Sequence, residues 1–298
     1  MKKYVITTLS DYISFTAKLN RDSDELWFRG HSSATYRLIP SVLRETVPLT
    51  DWKGDPVKKG QVLTSGGGHV TGLNAEKMFY EFKSKALPFL DREPANNFEW
   101  MFLMQHYGLP TRLLDWTTNA LVALFFAIES EPSSDEKKSY QLSPADQFLN
   151  VDECCPDGAA IFIMSPSFLN ENATVSKEVP YLSEEHKEWD HYFEPMEKDQ
   201  VNFLPVAVRA SHIDKRIASQ SGNFTLHGSS IHPIDYYEPI RESLVKIFIP
   251  YEAVPEMLSD LTSVGITESF IYPGLDSLAK DIKRKEENRF KKYNESNS

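Results

Sequence analysis

The sequence predicts one α+β domain, with a mixed, largely antiparallel core sheet and helices decorating it. Short runs rich in β-branched and aromatic residues recur, as at Gly158–Met164 and Val245–Ile249, and such residues pack well on a pleated surface. Helical periodicities lie among them, but strand and helix do not alternate as a parallel βαβ sheet requires. The 298 residues are 41% hydrophobic and 12% aromatic, enough for a sizeable core and too apolar for a disordered chain.

A short strand opens the chain, before a helix on which Tyr12, Phe15 and Leu19 share a face. Glu25–Gly30 alternates as a strand, Leu26 and Phe28 on one side and Trp27 and Arg29 on the other, with Gly30 permitting a sharp turn at its end. Tyr36–Ile39 reads as a short strand, and Pro40–Ser41 as a brief helix or turn. Residues 45–73 read as an insertion; the run Gly66–Gly68 lacks the following Lys-Ser or Lys-Thr of a phosphate loop. Asn74 caps a helix to about Leu90. A second helix, Asn97–Tyr107, turns Trp100, Leu103, Met104 and Tyr107 inward; Gly108 gives it a left-handed stop and Pro110 prevents its continuation.

Thr111–Trp116 reads as a strand, and Asn119 or Thr118 caps Ala120–Ile128, a helix apolar almost all round and therefore buried. Residues 130–157 form a polar excursion and residues 165–200 an acidic, helix-like segment. Further strands are expected at Gly158–Met164, Leu204–Val208, Gly222–His227 and, centrally, Val245–Ile249. Ala253–Leu261 is a helix capped by Gly265, Ser269–Tyr272 a last short strand, and Leu275–Lys283 a closing helix. The domain spans residues 1–283, with insertions at about 45–73 and 130–157, and 284–298 form a charged, frayed tail.

Composition excludes several classes. A formal charge of −11 disfavours broad nucleic-acid binding. No apolar run reaches bilayer length, so no membrane role is expected. Polar residues follow the first four rather than an apolar signal core, and Cys154 and Cys155 are adjacent, so a reducing cytoplasm is expected. Histidine spacing offers no metal site, and no Gly-x-Ser-x-Gly elbow occurs.

The densest polar stretch is Gln105–Asn119, where His106, Thr111, Arg112, Asp115, Thr117, Thr118 and Asn119 sit between two apolar segments. Polar groups held by rigid elements suit a site, and they equally suit caps and buried backbone. Trp27-Phe28-Arg29-Gly30-His31 with Leu38-Ile39-Pro40-Ser41 resembles the opening of the FRG domain, a family named for its Phe-Arg-Gly triplet. Gln105–Ala127 resembles its central signature, Gln220–His227 its third block and Ile266–Ala279 its closing block. Two departures occur: Ser221 replaces a common second Gln, and Tyr-Pro-Gly-Leu-Asp stands where Phe-Pro-Asp-Leu-Asp is common.

A weaker similarity joins the aromatic-Arg-Gly to the arginine motif of NAD-dependent ADP-ribosyltransferases. It implies an ADP-ribosyltransferase-like fold and NAD as substrate, with Arg29, Thr117 and Glu268 as the catalytic set. The usual Glu-x-Glu or Gln-x-Glu pair is absent, so Asp115 is the alternative acid. The resemblance also implies ligand contacts from Arg29, Gly30, His31, Tyr107, Asp115, Thr118, Gln220, Phe224 and His227, with Trp27, Tyr107 or Phe224 stacking on nicotinamide. Planar Arg29 could grip a pyrophosphate and a carboxylate could stabilise an oxocarbenium-like ribose. Such an enzyme, transferring ADP-ribose to an unknown macromolecular acceptor or hydrolysing NAD, would suit a bacterial toxin or phage-defence effector. The other class is a non-catalytic module binding a nucleotide or protein through the same cleft. Each residue also has a plain structural role: Arg29 could simply tie two strands through Asp115, His106 could sit on a helix dipole, and Glu268 could be a charged strand edge.

Overall fold

The computed structural model describes residues 1–45, 47–48, 70–129, 143–151, 153–182, 192, 204–209, 222–228 and 230–296. Strands β1 (Lys2–Val5), β2 (Trp27–His31), β5 (Leu113–Thr117), β6 (Gly158–Met164), β7 (Val206–Arg209), β8 (Gly222–Leu226) and β9 (Val245–Pro250) form one sheet, ordered β1-β9-β6-β2-β5-β8-β7. A two-residue ladder, β3 (Val47–Pro48) with β4 (Val70–Thr71), stands apart. Only β1 and β9 run parallel; the other pairs in the seven-stranded sheet are antiparallel. The molecule is therefore an α+β domain with a mixed, largely antiparallel sheet, as its residue pattern predicts.

Helices cover both faces. On one lie α1 (Leu9–Arg21), α4 (Ala120–Ile128) and α8 (Val254–Ser263), whose Tyr12, Val122, Leu124 and Met257 pack with Phe28, Ile161, Ile163 and Ile247. Farther along it, α3 (Asn97–His106) sets Phe98 and Phe102 against Leu113, Val206, Val208, Phe224 and Leu226. Between them in the chain, α2 (Ala75–Ala86) packs on α3 through Phe79 and Trp100. The opposite face holds Trp27, Leu114, Trp116, Phe162 and Phe248 under α5 (Pro144–Asn150), α6 (Pro166–Thr174) and α7 (Glu238–Ser243). This alternation along β2 separates Phe28 and Gly30 from Trp27, Arg29 and His31.

Several caps match their residue types. Asn74 and Asn96 accept backbone hydrogen bonds at the starts of α2 and α3, and Asn119 accepts from Leu121 and Val122 at the start of α4. Gly108 and Gly265 take the positive φ values, +81° and +92°, that close α3 and α8. Gly30 has a different reason to be glycine than the predicted turn. It lies inside β2, and a Cβ there would meet the Ala123 carbonyl oxygen at 2.1 Å and the Ala127 nitrogen at 2.6 Å. Its missing side chain lets α4 lie directly on the strand.

Other expectations are corrected. Tyr36–Ile39 is irregular, because the chain turns there instead of pairing: Leu38 donates to Asp235 and Ile39 to the Arg37 carbonyl. Ser269–Tyr272 is not a strand; Glu268–Ile271 forms helix α9, capped by the Thr267 hydroxyl accepting from Phe270. The closing helix α10 runs Leu275–Ser296, so the charged tail continues it. Tyr107 is 64% exposed, since α3 ends before it and turns it outward. β9 lies next to the sheet edge rather than at its centre. Residues 49–69, 130–142 and 183–191, with Arg216–Gln220, lie outside the described residues.

Candidate functional site

Strands β2 and β5 are neighbours that barely pair. Phe28 and Thr117 are in register, and no second pair follows. By contrast β5 pairs with β8 along its whole length, Leu113–Leu226 to Thr117–Gly222. Beyond Phe28 the two strands diverge, and a cleft of about 860 Å³ opens between them. Its helix wall carries Phe102, Gln105 and His106 from α3 and, at the C-terminal end of α4, Phe126 and Glu129. Its other wall is the segment after β2, with Tyr36, Arg37, Ile39 and Arg44, together with Pro233. Arg29, Gly30 and His31 line it from β2, and Asp115, Trp116 and Thr117 from β5.

Arg29 spans the gap that the missing ladder leaves. Its Nη1 donates to the Asp115 carbonyl oxygen at 2.6 Å and lies 3.6 Å from the Asp115 carboxylate. Its Nε donates to His31 Nε2 at 2.9 Å. His31 must therefore carry its proton on Nδ1, facing the Tyr36 carbonyl oxygen at 3.3 Å. Burial and the adjacent guanidinium hold the His31 pKa well below its usual value, so the ring is a neutral acceptor that aims Arg29. Burial also lowers the Arg29 pKa; the Asp115 charge opposes that shift and the Arg44 charge adds to it.

Asp115 is braced from α3. Gln105 Nε2 donates to its Oδ2 at 3.0 Å, and Gln105 Oε1 accepts from Thr111 Oγ1 at 2.6 Å. Thr111 Oγ1 in turn accepts from the Leu113 backbone nitrogen at 3.0 Å. The stretch from Gln105 to Asp115 thus closes on itself, and the left-handed turn at Gly108 makes the return possible. Opposite, Glu129 accepts from Tyr272 Oη, 3.1 Å from each carboxylate oxygen.

The structure gathers some predicted residues and scatters others. Arg29, Gly30, His31, Asp115, Thr117 and Phe224 line the cleft. Phe224 is buried and stacks on Phe102, with centroids 4.8 Å apart, while Trp27 is fully buried and donates its Nε1 to Glu25. Thr118 and Tyr107 are exposed and do not line it, and Gln220 lies outside the described residues. His227 is fully buried away from the cleft; burial and nearby Arg112 push its pKa down to about 3. Arg112 donates to the backbone oxygens of His227 and Tyr192, and burial lowers its own pKa to about 10.

Glu268 does not join the cleft. It opens α9 and pairs with Lys280 at 2.6 Å and Arg284 at 3.7 Å on α10. Tyr36, Arg44, Gln105 and Glu129 complete the site and were not among its predicted residues. Arg44 fell at the edge of an assumed insertion, Tyr36 in an assumed strand, and Glu129 just past a helix read as core. Gln105 alone left a signal: a polar residue in the last turn of a helix that folds straight back into its own strand.

A mixed sheet parted at its middle, with a cleft in the parting, defines an α+β domain with a candidate ligand site. The family model for the FRG domain matches residues 24–136, and the chain carries an FRG domain there. No curated protein and no solved structure matches the chain. The matched segment holds both sides of the parting, from β2 through the end of α4, whereas Gly222, Asn223, Phe224 and Pro233 line the cleft from outside it. The stretches Gln220–His227 and Ile266–Ala279 also lie beyond the match. Among the described residues no helix is long and apolar enough to cross a membrane.

Proposed function

We propose that the cleft between β2 and β5 binds NAD or a related nucleotide, and that the chain transfers or hydrolyses its ADP-ribose moiety. The observation that carries this reading is Arg29. Its Nε and Nη1 are fixed by His31 and Asp115, and Nη2 has no hydrogen-bond partner among the described residues. A planar cation held this way suits a phosphate oxygen. Arg37 and Arg44 also line the cleft, although the chain as a whole carries −11. Arg37 is paired with Asp235 at 2.6 Å, which leaves Arg44 as the second phosphate contact. Tyr36 is 55% exposed at the same wall and offers a ring on which a base can stack.

The second reading, a nucleotide-binding module without turnover, is favoured by Glu268 lying outside the cleft. Calorimetry with NAD and ADP-ribose, beside an assay of nicotinamide release, separates the two. Binding with release supports the enzyme, and binding without release supports the module. Arg44→Ala is expected to weaken NAD binding at least about tenfold, the scale of one charge-assisted hydrogen bond. Failure of wild-type protein to bind NAD or ADP-ribose would overturn both readings.

A further inference from the structure

We infer that Asn223 reads a ring edge of the bound nucleotide, through a side-chain amide that the fold itself leaves unused. This inference rests on the nucleotide reading above. It deepens that reading by naming the ligand chemistry: a planar group with a hydrogen-bond donor beside an acceptor.

Asn223 lines the cleft and is 8% exposed, and its side-chain amide has no hydrogen-bond partner among the described residues. Such an amide is unusual, because the large majority of buried polar side chains find a partner. Its neighbours on the same face are engaged elsewhere. Asn223 stands opposite Trp116 of β5 and Arg209 of β7, and residues directly opposite project to one side of a sheet. Trp116 Nε1 donates to Thr225 Oγ1 at 3.1 Å, two residues along β8. The Arg209 guanidinium donates to both carboxylate oxygens of Glu25, at 2.9 and 2.6 Å. The Asn223 amide is left to the cleft.

Its position is fixed by the sheet. β8 is paired on both sides, by β5 and by β7, so the Asn223 backbone cannot shift without breaking two ladders. Trp116, its partner on β5, follows Asp115, whose carbonyl oxygen accepts from Arg29 Nη1 at 2.6 Å. Asn223 thus stands one cross-strand step, about 5 Å between Cα atoms, from the segment of β5 that Arg29 grips. A side-chain amide offers a carbonyl acceptor and two N–H donors in one plane. Adenine presents the matching pair, an amino donor beside a ring-nitrogen acceptor, and asparagine bonds to it through two contacts. The carboxamide of nicotinamide presents the same pair. NAD carries both groups, and ADP-ribose carries adenine alone.

The test measures NAD and ADP-ribose binding by calorimetry for wild type, Asn223→Leu and Asn223→Ala, with thermal unfolding of each free protein alongside. Both variants remove the amide without adding charge. Each is expected to lose about tenfold or more in NAD affinity, the scale of two hydrogen bonds to the ligand. Asn223→Leu is expected to unfold at the wild-type temperature or above it, because no hydrogen bond of the free protein is removed. Asn223→Ala covers the case in which leucine does not fit. Equal losses for NAD and ADP-ribose support the inference and place adenine on Asn223. A loss for NAD alone supports it and places the carboxamide there. Binding of both ligands by Asn223→Ala within about twofold of wild type would overturn the role of Asn223 and leave the nucleotide reading standing. Wild type that binds neither ligand would remove both.

Discussion

At Gly30 a single hydrogen atom decides how the molecule is layered. The backbone of α4 sits where a Cβ would be, so Gly30→Ala must push the helix off the sheet. Overpacking of this kind typically costs about 1–3 kcal/mol, and contact with backbone rather than a movable side chain places Gly30→Ala at the top of that range. A denaturant titration showing less than about 0.5 kcal/mol would refute this packing account. The glycine of the Phe-Arg-Gly triplet was legible, but its reason was not. The turn and the close approach both demand glycine, and only the position of α4 distinguishes them. Histidine ionisation belongs to the same scale. His31 and His227 fold neutral, with pKa values below that of the unfolded chain. Their contribution is intact above about pH 6.5 and is lost as pH falls, because the unfolded chain then binds protons that the fold refuses. For His227, whose folded pKa is about 3, stability should decline by roughly 1.4 kcal/mol per pH unit between about pH 6 and pH 4. Urea midpoints across that range should flatten in His227→Leu, and an unchanged slope would contradict its neutral burial.

At the scale of elements, the parting of β2 from β5 is held by Arg29, and the pair it makes with Asp115 is uneven. The aspartate side chain is 56% exposed and the arginine 14%, while the shorter contact goes to the Asp115 backbone oxygen. A double-mutant cycle between Arg29→Met and Asp115→Asn should therefore give coupling below about 1 kcal/mol. Coupling of several kcal/mol would mean that the ion pair itself closes the sheet. The start of α4 behaves more simply: Asn119→Ala removes the acceptor for Leu121 and Val122 and should cost about 1 kcal/mol in thermal or denaturant unfolding. Caps of this sort were readable because Asn before an apolar run has one common use. The short C-terminal elements were not. Ser269–Tyr272 has strand-like residues, yet the Thr267 hydroxyl caps it into a helix, and that cap sends Glu268 toward Lys280 and Arg284 instead of the cleft.

Over the whole molecule, the alternation of apolar residues was enough to reveal a mixed sheet with helices on it, since each strand had to bury one or both faces. Strand order was not readable, because pairing partners such as β5 and β8 lie far apart in the chain. The cleft exists only through that order. Its two sides come from β2 and β5, which meet at one residue pair. The end of α10 lies outside this arrangement. Ending the chain after Lys285 keeps both partners of Glu268, so the unfolding midpoint should move by no more than about 0.5 kcal/mol in equivalent stability. A larger loss would show that the last turns of α10 support the domain.

The parallel pairing of β1 with β9 sets an order of events during synthesis. β1 leaves the ribosome long before β9, its strand partner among the described residues. Until Val245–Pro250 emerges, Lys2–Val5 has no ladder to join, and the parted centre can assemble without it. Pairing across so long a loop is slow to form. β1 is therefore made early and placed late, and a nascent chain stalled before β9 should leave Lys2–Val5 open to a protease that the finished protein resists.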